Sequence, residues 1–210
     1  MTFNLGGKKD LCLKINSRLI KIGLNPYPGL GGEIINRLGG TSVNLSGGEV
    51  ISSLKLGAID AAEWAGPWPD TIMGFHKVAK YYYGPGIHEP NTLCEFMINK
   101  NIWDNLPEEY KIIIENASYS SYLENMTEYF FNNARSLRVL KNKHSVDVRQ
   151  FSDEIVKKFF TASKDIVKEN SFNNTDYINI YEDWKSTIEL FNEYHKYSDN
   201  EYMKLRLRNS

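Results

Sequence analysis

The stretch SGGEVISSLKLG, Ser46–Gly57, carries both of its own boundaries. Ser46 and Glu49 stand at the spacing of a capping box, in which each residue satisfies a polar group of the other at the first turn of a helix. Gly57 suits the left-handed conformation that ends a helix. Between them Val50, Ile51 and Leu54 form one short apolar stripe. A helix this short is not stable alone and must lay that stripe on a second layer. An extended apolar stretch, Ala58–Trp64, follows at once. Upstream, PGLGGEIINRLGG (Pro28–Gly40) repeats the scheme: a glycine turn, a helix with Ile34, Ile35 and Leu38 on one face, and Gly39 at its stop. Short one-faced helices alternating with short apolar strands predict an α/β fold.

The pattern continues along the chain. TIMGFHKVAKYYYG reads as a short helix leading into an aromatic strand, Tyr81–Tyr83. NTLCEFMINKN (Asn91–Asn101) alternates as a buried strand does. Pro107 suits a first helical turn, and Glu108 and Glu109 complement the positive end of a long helix running to Leu140. Tyr110, Ile113, Ile114 and Ala117 give that helix one apolar face. A strand at Val146–Ser152, a helix at Asp153–Glu169 and an aromatic-rich last helix at Tyr177–Tyr202 complete the pattern.

Several function classes are excluded by what these residues lack. The net charge of −1 gives no basic field for nucleic acid. Cys12 and Cys94 permit one disulfide at most and no zinc site, and a bridge between them is not expected. No run of about 18 apolar residues is present to span a membrane. The opening MTFNLGGKKDLCLKIN has neither the apolar core nor the cleavage site of a secretory signal. Gly29-Leu30-Gly31-Gly32 is followed by Glu33 where a phosphate loop needs Lys, and Ile34 stands where a dinucleotide turn needs its third glycine. Backbone N–H groups at such a helix start still suit a carboxylate ligand. His76, His88, His144 and His195 show no metal-ligand spacing with one another or with cysteine. No nucleophile elbow or Cys–His pair argues for covalent catalysis, and the chain is expected not to be an enzyme.

IDAAEWAGPWPD (Ile59–Asp70) sets Glu63 beside Trp64 and Trp68, with Gly66, Pro67 and Pro69 as breakers. On an extended segment neighbouring side chains point to opposite sides, whereas the carbonyls lie in the strand plane. The Glu63 carboxylate and the Trp64 carbonyl therefore have access to one ion. Such hard oxygens suit Na⁺ or Ca²⁺, with the indoles keeping water away. The competing reading is a packing tryptophan beside an ordinary surface glutamate. YYYGPGIHEP (Tyr81–Pro90) repeats the theme with His88 and Glu89, and there a rigid structural turn is the alternative.

Taken in order, PGLGGEIINRLGGTSVNLSGGEV, LKLGAIDAAEWAGPWPD and GFHKVAKYYYGPGIHEPNTLCEFMINKNIWDNLP resemble the DctP-type solute-binding proteins of TRAP transporters. The likeness is to the branch that binds 2-oxo and 2-hydroxy acids such as pyruvate or lactate. It implies a two-lobe periplasmic binding protein fold, type II-like, with a long hinge helix and a small organic acid held between the lobes. It implies that Glu63 ligates a bridging cation, Na⁺ or Ca²⁺, through its carboxylate and Trp64 through its main chain. Trp68, His88 and Glu89 would line the substrate site, Glu89 as the weaker ligand candidate. Ile59–Trp64 would be the strand crossing between lobes, and Gly66, Pro67 and Pro69 would turn the chain away. TRAP membrane subunits are the implied partners and the periplasm the implied location, without a signal peptide on this chain.

Two departures from the family pattern stand out. The family has further residues upstream, so the chain is read as N-terminally truncated. Residues 1–26 form a divergent segment, and 27–210 the C-terminal portion with parts of both lobes. The family's substrate-clamping arginine, as in MRIPG, is replaced by Pro26 in GLNPYPG. Arginine alone offers a bidentate clamp for a carboxylate. A truncated remnant that binds nothing is therefore an alternative. So is an oligomer-forming protein: Tyr181, Trp184, Ile188, Leu190, Phe191 and Tyr194 exceed what one helix face buries, and a homodimer through that helix is expected. An enzyme using Glu63 or Glu89 as a base beside His88 has no supporting nucleophile or cofactor motif.

Overall fold

The computed structural model describes residues 5–7, 21–24, 29–87, 94–172 and 174–210. Cys12, Pro26, His88 and Glu89 lie outside the described residues. The chain divides into two compact units, Met1–Ser163 and Lys164–Ser210.

The first unit is built on a six-stranded sheet, β3-β2-β4-β1-β5-β6. Its strands are β1 (Leu5–Gly7), β2 (Lys21–Leu24), β3 (Thr41–Asn44), β4 (Ala61–Glu63), β5 (Tyr81–Gly84) and β6 (Asp147–Gln150). β1 runs antiparallel between β4 and β5, while β2–β3, β2–β4 and β5–β6 pair in parallel. Parallel neighbours require crossovers, and helices lie in each of these connections, the longest of them between β5 and β6. α1 (Gly29–Arg37) buries Ile34 and Ile35, with Gly39 in a left-handed conformation (φ 84°) beyond its end. α2 (Gly47–Leu56) buries Val50 and Leu54 and ends at left-handed Gly57 (φ 77°).

The capping box at α2 is present. The Glu49 carboxylate accepts the Ser46 N–H at 3.2 Å and the Ser46 hydroxyl at 2.6 Å. These bonds hold the Glu49 carboxyl below its ordinary value. Val50, Leu54, Ile59, Ala62 and Phe75 form the core between α2 and the sheet, with Val43, Trp64 and Val78 packed around them.

Three sequence expectations are corrected here. The extended segment narrows to Ala61–Glu63, because residues 58–60 bend and turn Ile59 into the core. Pro67 and Pro69 do not turn the chain away but open a helix, α3 (Pro67–Met73). A proline at a first helical position removes an N–H that would have no partner there, so two prolines suit a buried helix start. The remaining early donor, the Trp68 N–H, goes to Asn133 Oδ1 at 2.9 Å. The expected strand at Asn91–Asn101 is absent over its described part: residues 94–99 have no regular structure, and Phe96 and Met97 are exposed. β5 already has β1 and β6 as neighbours, and alternation names a face without supplying what covers it.

A 3₁₀ turn (Phe75–Lys77) follows α3, and α4 (Lys100–Asn105) precedes the long helix α5 (Glu108–Asn142). Pro107 is the residue before α5 rather than its first. The last turns of α5 pack on the sheet, Leu140 joining Tyr82 and Val146. Its expected apolar face is mostly uncovered, since Tyr110 and Ile113 are exposed. α6 (Asp153–Ser171) brings Phe159 towards Phe151, whose ring stacks on Tyr83 at 5.3 Å.

In the second unit the expected single last helix is two, α7 (Thr175–His195) and α8 (Asp199–Arg208). Ser198 is the residue before α8, and Asp199 and Glu201 sit in its first turn, a helix start written inside the expected run. Trp184, Leu190, Phe191 and Tyr194 on α7 are exposed, as the sequence implies. Among the described residues no helix is long and apolar enough to cross a membrane.

Candidate functional site

Alternation along β4 sorts its end into two faces. Ala62 and Trp64 belong to one core cluster, and Glu63 between them points to the other side of the sheet. The cross-strand register agrees: Glu63, Leu5 and Tyr83 form one row, and Ala62, Gly6 and Tyr82 the next. Glu63 exposes only 4% of its surface, and its Oε1 is fully buried. A carboxylate in such a place is costly unless ligands or donors offset its charge.

The Trp64 indole is committed to packing. It lies 5.9 Å from the Phe75 ring, and a Cβ added to Gly47 would stand 2.7 Å from its Cη2 atom. Any ligand role of Trp64 therefore falls on its main chain. Trp68 faces α5, its ring edge-on to Tyr129 at 5.1 Å. The structure thus brings Glu63 and Trp64 to one strand end and sends Trp68 to the α3–α5 contact. Among the described residues no group of three or more His, Cys, Asp or Glu is placed to hold a metal ion. Glu63 and the Trp64 carbonyl are hard oxygen donors and fit Na⁺ or Ca²⁺ in kind.

Two polar pairs escape sequence reasoning. Asp70, on α3, exposes only 3% of its surface. It accepts the Tyr82 hydroxyl at 2.6 Å and the Gly66 N–H at 3.1 Å. Burial dominates these bonds and pushes its carboxyl up to about 6. An aspartate soon after a Pro-Trp-Pro segment reads as an ordinary first-turn acid, and only the fold brings Tyr82 to it.

The second pair is His76 and His144, whose rings stack at 3.9 Å. His76 Nδ1 is buried without a hydrogen-bond partner among the described residues. Burial first, then the neighbouring His144 and Lys77, lowers its pKa below the ordinary value. No spacing signal could have joined residues from a 3₁₀ turn and the bend that follows α5.

Comparison with known proteins places this geometry in context. The model of the bacterial extracellular solute-binding proteins, family 7 (DctP), matches residues 26–174. A monocarboxylate 2-oxoacid-binding periplasmic protein of Nostoc sp. (strain PCC 7120) is 38% identical over 160 residues, 76% of this chain and 43% of that protein. A TRAP periplasmic solute-binding protein from Pseudoalteromonas atlantica T6c, solved with sodium and pyruvate, is 26% identical. It superposes with a TM-score of 0.86 over 97% of this chain and 61% of its own. A TRAP solute-binding protein from Bordetella bronchiseptica RB50 is 27% identical, with a TM-score of 0.85 over 99% of this chain and 61% of its own. It was solved as a mixed-occupancy dimer with calcium and picolinate in one site. The chain thus spans less than half of that curated relative and about three fifths of those solved structures.

Proposed function

Because the chain belongs to the family 7 bacterial extracellular solute-binding proteins, the DctP family, we propose that it binds a small 2-oxo or 2-hydroxy monocarboxylate together with a bridging cation, for delivery to TRAP membrane subunits in the periplasm. The observation that carries this reading is the buried Glu63 carboxylate at the end of β4, one residue before a main-chain carbonyl whose side chain is held in the core. Glu63 and the Trp64 main chain would hold Na⁺ or Ca²⁺. The cation supplies positive charge to the acid's carboxylate, which matters more where Pro26 replaces the family's arginine. Trp68, His88 and Glu89 would contribute to the walls of the acid site. The reaction class is binding and release without catalysis.

Thermal-shift titration of the chain with pyruvate, lactate and picolinate, with and without Na⁺ or Ca²⁺, tests the proposal. A ligand that binds only the folded state raises the melting temperature with occupancy. The expected result is a shift that needs both acid and cation, abolished by Glu63→Gln and little changed by Trp68→Phe. Equal losses from both variants would remove the cation role of Glu63, and a melt blind to every acid would favour a remnant that binds nothing.

The exposed aromatic and aliphatic residues of α7 support a second property, a homodimer through that helix. Sedimentation that stays monomeric at high concentration would exclude it.

A further inference from the structure

His76 and His144 have no task in the binding reading, yet the fold makes them touch. Their rings stack at 3.9 Å with an interplanar angle of 26°. His76 belongs to the 3₁₀ turn in the connection from β4 to β5, and His144 to the bend between α5 and β6. The two connections lie on one face of the sheet. Phe75 shares a core cluster with Ala62, and Leu140 and Val146 share another with Tyr82. Ala62 and Tyr82 stand in one cross-strand row. The imidazole pair therefore spans the seam between the two clusters.

The bend on the His144 side is strained. The His144 N–H reaches back to the Val139 carbonyl at 3.3 Å, and the Val146 N–H to the Leu140 carbonyl at 3.0 Å. Between them Ser145 takes φ 51°, a left-handed conformation that helix ends ordinarily give to glycine. A side chain kept there depends on its surroundings to hold it. Val146 is buried on one side, and the imidazole stack lies on the other.

The stack is sensitive to protons because of one atom. His76 Nδ1 is buried without a hydrogen-bond partner among the described residues. A bare ring nitrogen tolerates such a place better than an N–H does, so the neutral ring carries its proton on Nε2. A second proton must go to Nδ1, where it makes a buried N–H that has no acceptor. Burial first, then His144 from the α5 bend and Lys77 on the same turn, disfavours charge on His76. Tyr81 and Tyr82 from β5 and Asp70 from α3 line the same cavity. The Asp70 carboxylate is held by the Tyr82 hydroxyl and the Gly66 N–H, and it is itself protonated below about 6. On β6, Asp147 is paired with Arg149, and Lys80 lies over the Tyr81 ring.

We propose that the His76–His144 stack is a proton-operated latch: it joins the 3₁₀ turn to the α5–β6 bend while His76 is neutral, and releases that junction when Nδ1 takes a proton. The latch is closed above pH 6.5 and loosens below it, where the opened state binds one proton more than the closed state. It does not depend on the cation-dependent binding proposed above.

The test is amide hydrogen exchange by NMR on the whole chain from pH 7.5 to 5, each rate divided by its intrinsic chemical rate. The reporters are the Val78, Ala79 and Val146 N–H groups, which bond the Phe75 and Leu140 carbonyls. Val50 to Leu54 in α2 are the internal reference. One extra proton makes opening about tenfold more frequent per pH unit. Reporter protection should therefore fall about tenfold from pH 6.5 to 5.5, with the reference unchanged. His76→Phe keeps a ring in the stack and cannot take a proton, so it should abolish the fall. His144→Phe removes one of the two charges and should lessen it. Nitrogen NMR of the wild-type His76 ring at pH 7.5 should place its proton on Nε2.

Protection that does not change with pH, or a fall as large in His76→Phe as in wild type, would overturn the latch. A neutral His76 with its proton on Nδ1 would do the same. So would a reference that falls with the reporters, since acid would then be unfolding the whole frame. If His76→Phe does not fold, His144→Phe and the wild-type ring carry the test, and an undiminished fall in His144→Phe overturns the proposal.

Discussion

The α1–β5 frame and the first two thirds of α5 make opposite use of apolar residues. In the frame, Ile34, Val50, Leu54, Ile59 and Phe75 are buried, and each helix has a defined stop. On α5, Ile112, Ile113, Tyr119, Tyr122, Leu123, Phe130 and Phe131 are exposed, and Leu140 is the buried residue among those described. The difference teaches that the frame's helices exist because the sheet takes their faces. α5 has less such support until its last turns, where Leu137 and Leu140 reach Tyr82 and Val146. Its length lets it persist on backbone hydrogen bonds and local propensity.

The sharpest way to break this contrast is a matched truncation. Leu54→Ala, at a fully buried position, should cost about 2–5 kcal/mol in urea unfolding. If it costs less than about 1 kcal/mol, the α2 core is not what holds the frame.

Next in size is the charge hidden inside the frame. The Asp70 carboxyl rises from 3.8 to about 6 on folding, so between those values the folded state binds its proton more tightly than the unfolded state does. Its share of stability is present below pH 4 and is lost as pH rises to about 6. At just over two pKa units the loss is about 3 kcal/mol. Comparing the stability of wild type and Asp70→Asn from pH 4 to 7 isolates this share, and the variant should lack the fall. The neutral His76 works in the opposite direction, losing stability as pH falls below 6.5, and is common to both proteins.

A smaller effect is expected at a helix end. Gly57→Ala places a Cβ at φ 77° and should cost about 1 kcal/mol, read from the denaturation midpoint. The smallest belongs to α5: Ile113→Ala, at a residue 60% exposed, should change stability by less than about 0.5 kcal/mol. A larger loss there would mean that the face is covered in solution, which sedimentation of the same samples would reveal.

Legibility followed the range of the cause. The Ser46–Glu49 box, the Gly57 stop and the extent of α5 were readable because each is decided within a few residues. The break at Lys196–Ser198 was missed because the start signal of α8 lies inside an otherwise helical run. The expected strand at Asn91–Asn101 failed because a strand needs a neighbour that its own pattern cannot supply. At the candidate site, adjacency made Glu63 and Trp64 candidates and the family resemblance singled them out, while their opposite facing follows from the period of a strand.

The sequence by itself determined the Ser46–Gly57 helix with its two ends, the long helix after Pro107 and the family to which the chain belongs, because these depend on local periodicity and on ordered motifs, whereas the strand β3 at Thr41–Asn44 carried no pattern that marked it. The tertiary structure alone decided that Asp70 meets Tyr82, that His76 stacks on His144, and that Pro67 and Pro69 start a helix whose one early N–H goes to Asn133. These are contacts between residues far apart along the chain. Their energies depend on burial and on the direction of each donor, and neither exists until the sheet and α5 have closed around them.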